Sequence, residues 1–142
     1  MNIASFTKRI WAYIIDNLLL IIPLGVCLFF LYLLMPEMKD VPIYFIVFGF
    51  IFAHWLIYFL FIGFYMFLSN GRTIGNLIFG LRIIHPDISR LSLGDCFARS
   101  ACQGIIIFPI ISMLFVITIR SEKSVFDRMT NTVVADWRNK VL

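Results

Sequence analysis

Charge is scarce in this sequence, and its scarcity excludes most soluble functions at once. Acidic and basic side chains make up 14% of the 142 residues, against about a quarter in an ordinary globular domain. The net charge of +4 comes from basic residues scattered singly among apolar stretches, which points away from a nucleic-acid partner, because that needs a clustered basic face. Cysteine and histidine are equally sparse. Cys27, Cys96 and Cys102 show no CxxC spacing, so they are expected to be small apolar fillers and not a disulfide or zinc framework. His54 and His85 have no partner at metal-ligand spacing. No glycine-rich phosphate loop precedes a helix, and there is no activated nucleophile or carboxylate pair at matched depth, so neither an enzyme nor a bound cofactor is expected.

Hydrocarbon is what the chain does have. With 61% hydrophobic and 17% aromatic residues and a mean hydropathy of +0.95, it reads as an integral membrane protein. Ile10 to Leu34 and Ile43 to Leu68 each exceed the roughly 20 apolar residues that cross a bilayer. The first is too long for a signal-peptide core, carries Asp16 and lacks a small-residue cleavage site before Met35, so it is expected to remain as an anchor. Ala101 to Ile119 is a borderline third run, interrupted by Gly104 and Pro109, which weaken or break a helix.

The basic residues give the topology. Eleven of the twelve lie before the first run, between the second and third, or after the third, and such residues are retained in the cytoplasm. A re-entrant third element puts all eleven inside; a full crossing puts the tail outside. We therefore expect an all-helical membrane protein with both termini cytoplasmic. Its one domain comprises two spans (about 10–34 and 43–68), an interfacial loop (69–100), a broken third element (101–119) and a basic tail (120–142).

Asp16 is the costly residue. A carboxylate on a spanning helix loses at least a few kcal/mol unless it is paired or faces a polar cavity. Arg9 shares its helix face but lies about 10 Å away along the axis, so another segment must also reach it. Arg72, Arg99 and backbone donors of the third element are the candidates. His54, near the middle of the second span, differs in depth from Asp16 by roughly 10 Å, and is expected to be a hydrogen-bonded packing residue more than a proton relay. Gly49 and Ala53 form a small-xxx-small step suited to close helix approach. Gly71 to Gly75 is a GxxxG beyond the second span, expected as a turn. Two capping boxes follow: Ser92 with Asp95, and Ser124 with Asp127. The first begins a helix whose apolar face is Leu93, Cys96, Phe97 and Ala101, with Arg99 directed to headgroups or to Asp16.

Four ordered blocks, KRIWAYIIDNLLL, GRTIGNLIFGLRII, LSLGDCFARS and SVFDRMTNTVV, make the chain resemble the RDD family of small bacterial membrane proteins, named for one arginine and two aspartates. The resemblance implies Arg9 as that arginine and Asp16 and Asp127 as the aspartates. It departs from the pattern at Asn76, where many members carry Lys. For function it implies transport of small ions or solutes, such as sodium/proton exchange, with Arg9 as charge partner or gate of Asp16. Two spans can hardly enclose a path, so transport requires a homo-oligomer. The alternative is a non-catalytic scaffold, immunity or assembly factor that binds another membrane protein.

Overall fold

The computed structural model describes residues 3–35, 40–105, 111, 112, 114 and 123–137. The two long apolar runs form the two helices long and apolar enough to cross a membrane. The first, α1, is Phe6–Leu34. The second consists of α2 (Ile43–Ile57), one π turn (Tyr58–Ile62) and α3 (Gly63–Leu68). Their side chains are mostly unburied by protein: only 6% of the most apolar window of α1 and 17% of that of the second helix are buried. Lipid or another apolar surface is what such faces require.

Packing is concentrated at one end, where the helices enter a small folded head. After Leu68 the chain turns through Asn70 and Gly71, both at positive φ. A Cβ on Gly71 would lie 2.1 Å from the Ile83 carbonyl oxygen, so only glycine fits. Thr73 then caps α4 (Ile74–Phe79) by accepting from the Asn76 amide at 3.1 Å, and Gly80 ends it in the left-handed conformation, the common helix stop. Strand β1 (Leu81–Ile84) follows. Ser92 and Asp95 form the expected capping box of α5 (Leu93–Gly104), and Ser124 and Asp127 that of α6 (Val125–Met129). Strand β2 (Val133–Asp136) pairs antiparallel with β1, with Leu81 opposite Asp136 and Ile84 opposite Val133.

That sheet corrects the all-helical expectation. Leu81–Ile84 is too short and too uniformly apolar for periodicity to separate strand from helix. Its partner lies some fifty residues away, and no local signal announces that pairing. The N-terminal segment extends the sheet, with the Ala4 amide donating to the Val134 carbonyl at 2.9 Å. The core cluster of Ala4, Ala12, Met66, Leu81, Ile83, Leu91, Cys96 and Val134 lies in this head. The N-terminus, the 69–100 segment and the tail therefore all gather at the same end of the two long helices.

Helix α5 is packed into the head. It packs against the π turn and α3, and the residues it buries are Cys96, Arg99, Ser100 and Gly104. The chain becomes extended at Ile105, so the third apolar run begins as the last turn of α5 and breaks there. Residues 106–110 and 115–122, with Pro109 among them, lie outside the described residues.

Candidate functional site

The inward face of α1 is polar where an ordinary helix would be apolar. Ala12, Asp16 and Asn17 are its buried residues, one helical turn apart at 12 and 16. Gly75 explains why α4 can reach them. A Cβ there would sit 2.0 Å from the Ala12 carbonyl oxygen, so only glycine lets the first turn of α4 touch the backbone of α1. The free amide of that turn is then spent on the carboxylate: Gly75 N–H donates to Asp16 Oδ1 at 2.7 Å. This bond offsets part of the cost of burying the carboxylate.

The partner of Asp16 is thus a backbone amide, and it comes from α4 and not from the third element. None of the arginines proposed from sequence pairs with it. Among the described residues, no Lys or Arg lies within ion-pair distance of Asp16. Arg9 turns instead to the tail, donating from Nη1 to Asp127 Oδ2 at 3.1 Å and from Nε to the Ala4 carbonyl at 3.1 Å. Its separation of nearly two helical turns from Asp16 kept them apart, and the tail supplied a carboxylate within reach.

Asp127 is more than a cap. Its Oδ2 accepts from the Ser124 amide at 3.0 Å, completing the capping box, while Oδ1 accepts from Arg99 Nη2 at 2.7 Å. Arg99 also donates from Nη1 to Thr132 Oγ1 at 2.7 Å. Headgroups and Asp16 are therefore both excluded as its target, and its relative exposure is 4%. Burial alone would raise the Asp127 pKa; Arg99, the Ser124 amide and Arg9 outweigh it and hold the carboxyl below its usual range. Arg9, Asp127 and Arg99 form a largely buried cluster.

Cluster and carboxylate meet at a cavity of about 80 Å³, lined by Arg9, Tyr13, Asp16, Tyr58, Thr73 and Arg99 together with Asn76, Gln103, Ser112 and Ser124 and several apolar side chains. A space of that size and polarity holds several waters. Arg99 Nε is buried with no hydrogen-bond partner among the described residues, which identifies the cluster as a place where a polar occupant would be stabilised.

Sequence reasoning missed most of this lining. Tyr58 is positioned by the π turn, which puts Tyr58 and Ile62 both inward at 1% exposure. Ser100 Oγ donates to the Phe59 carbonyl there at 3.0 Å. Such turns have no sequence signature but recur at functional sites. Tyr13 donates to the Gln103 carbonyl at 3.1 Å and ties α1 to α5. Thr73 could have been found: a Thr directly before the Ile74 to Phe79 run is a cap signal.

The remaining candidates lie elsewhere. His54 Nε2 bonds Asn17 Oδ1 at 3.3 Å, within the bundle. Arg72 sits at the turn after α3, over Trp137. Gly49 is exposed, with nothing within 4 Å of an added Cβ, so the close approach proposed for Gly49 and Ala53 does not occur within the chain. Both line an apolar groove of about 370 Å³ between α1 and α2. The close approaches occur instead at Gly75 on α1 and at Gly63, whose added Cβ would meet Ser100 Oγ at 2.7 Å.

The RDD family model matches residues 3–131, a range that contains Arg9, Asp16, Arg99 and Asp127. No curated protein and no solved structure matches the chain. The protein belongs to the RDD family.

Proposed function

We propose that this RDD-family protein moves a small cation, a proton or a sodium ion, across the bacterial inner membrane, with Asp16 as the carboxylate that takes the ion. One observation carries the reading: of the two buried aspartates, Asp127 is neutralised by two arginines, whereas Asp16 lines a water-sized polar cavity with no cationic side chain at ion-pair distance among the described residues. A cation on Asp16 completes its charge. Arg9 and Arg99 line the same cavity and oppose that cation, which favours its release, and transport requires a site weak enough to leave. Arg9 then acts through the cluster and not as the direct partner of Asp16.

The cavity lies in the head end, and the far halves of α1 and α2 enclose nothing alone. A complete path requires a second copy, and the exposed apolar faces and the groove between α1 and α2 offer surfaces for it. The crowding of basic residues at the head supports a cytoplasmic location for both termini.

The test is sodium and proton flux in proteoliposomes, wild type against Asp16→Asn at equal reconstitution. Flux abolished by the variant supports the reading; a folded wild type without flux overturns it. A second reading, a non-catalytic scaffold for another membrane protein, is favoured by the same cluster, since Arg9, Asp127 and Arg99 clamp α1, α5 and α6 into one body. It expects no flux and a co-purifying membrane partner whose binding survives Asp16→Asn.

A further inference from the structure

A second basic feature lies outside the cavity, where the second long helix ends. Arg72 follows Leu68 by one turn of chain, Arg82 is the half-buried residue of β1, and Arg90 is exposed before α5. The guanidinium carbons of Arg72 and Arg82 stand 5.9 and 5.0 Å from the centroid of the Trp137 ring, a cation–π geometry. Arg82 Nε donates to the Asn70 carbonyl at 2.9 Å. Among the described residues, no Asp or Glu lies within ion-pair distance of any of the three arginines.

Three like charges gathered without a counter-charge repel one another unless an anion joins them. Partial burial, and then the charges of Arg72 and Arg90, hold the Arg82 guanidinium below its usual pKa, so Arg82 feels both neighbours. Arginine is suited to phosphate, which its planar fork binds in a bidentate manner, and tryptophan concentrates at the headgroup level of bilayers. Beside this group the helix exposes Phe64, Phe67 and Leu68, apolar surface along which acyl chains can lie.

We propose that Arg72, Arg82, Arg90 and Trp137 form a headgroup site for an anionic glycerophospholipid of the inner leaflet, its phosphate held by the arginines and its acyl chains running along the end of the second span. Position favours lipid over free phosphate or nucleic acid, because Arg72 directly follows the apolar helix whose flank the chains would cover and Arg82 shares the Trp137 ring with it. The site is independent of Asp16 and of any transport.

The test uses the full chain in detergent, titrated with phosphatidylglycerol and phosphatidylcholine, with retained lipid read by native mass spectrometry and stability by melting temperature. Wild type is expected to retain phosphatidylglycerol at least about five-fold over phosphatidylcholine, the scale of one juxtamembrane basic residue, and to melt higher when it is added. Both effects are lost in the combined variant Arg72→Gln, Arg82→Gln and Arg90→Gln, and reduced but still measurable when all three become Lys, which keeps the charge without the planar fork. Should the triple Gln variant fail to fold, Arg90→Gln alone, at an exposed position, is expected to reduce the preference. Equal retention of the two lipids by wild type, an unchanged preference in the Gln variants, or displacement of phosphatidylglycerol by millimolar inorganic phosphate overturns the proposal, the last assigning the arginines to a free anion.

Discussion

Arg9 and Asp127 stand 118 positions apart in the chain, yet Nη1 of one donates to Oδ2 of the other at 3.1 Å. The bond closes a loop through nearly the whole protein and fastens α6 beside the start of α1. Arg99 holds the other carboxylate oxygen, so the N-terminal helix, α5 and α6 share one charge.

Removing that charge strands two arginines. Asp127→Asn is expected to cost about 3–5 kcal/mol, the loss typical when one partner of a buried pair is deleted. Arg99→Gln is expected to cost more than Arg9→Gln, because Arg99 is the more buried. Melting temperatures in detergent check the order, and equal losses for the two arginines would contradict it.

Glycine substitutions should separate the two close-packing sites. Gly75→Ala drives a Cβ into the Ala12 carbonyl, where neither helix backbone can yield, and is expected to destabilise by about 3 kcal/mol or more. Gly49→Ala meets nothing within 4 Å and is expected to leave stability unchanged or raise it by up to about 1 kcal/mol, through helix propensity. Paired thermal melts decide; comparable losses at both positions would refute the α1–α4 contact.

Asp16→Asn should fold, since the amide oxygen can still accept from Gly75 N–H. Asp16→Leu cannot, and leaves that buried amide unpaired at a cost of about 1–3 kcal/mol. Circular dichroism melts of the two variants make the flux comparison interpretable: lost flux in a well-folded Asn variant concerns the carboxylate itself.

Two groups in the head set opposite limbs of the pH profile. His85 Nδ1 bonds the Asn131 carbonyl at 3.0 Å and Nε2 bonds Asp95 Oδ2 at 3.1 Å; the Asn131 bond first, and Asp95 after it, raise its pKa above 6.5. A raised histidine stabilises fully below its unfolded value and loses that stabilisation as pH rises through the folded one. Since the pair is partly exposed, no more than about 1 kcal/mol is expected. Asp127, held below 3.8, behaves oppositely: its stabilisation is present above that value and is lost as pH falls through the lowered one. Melting temperature against pH should therefore decline at both ends, with the alkaline limb flattened by His85→Gln.

Much of the local structure was legible in the sequence, because its causes are local. Two uninterrupted apolar runs determine two long helices, since a continuous helix satisfies its own backbone wherever hydrocarbon surrounds it. The spacing of Ser92 to Asp95 and of Ser124 to Asp127 determines two helix starts, because each cap reaches only three residues. The scarcity of charge determined that any buried carboxylate would need an explanation. What pairs with what was decided only by the tertiary structure. Asp16 found the Gly75 amide, Arg9 and Arg99 found Asp127, and Leu81–Ile84 found a strand from the tail. Charges and strand edges take partners from any segment the fold brings near, and the sequence records the need for a partner without its address.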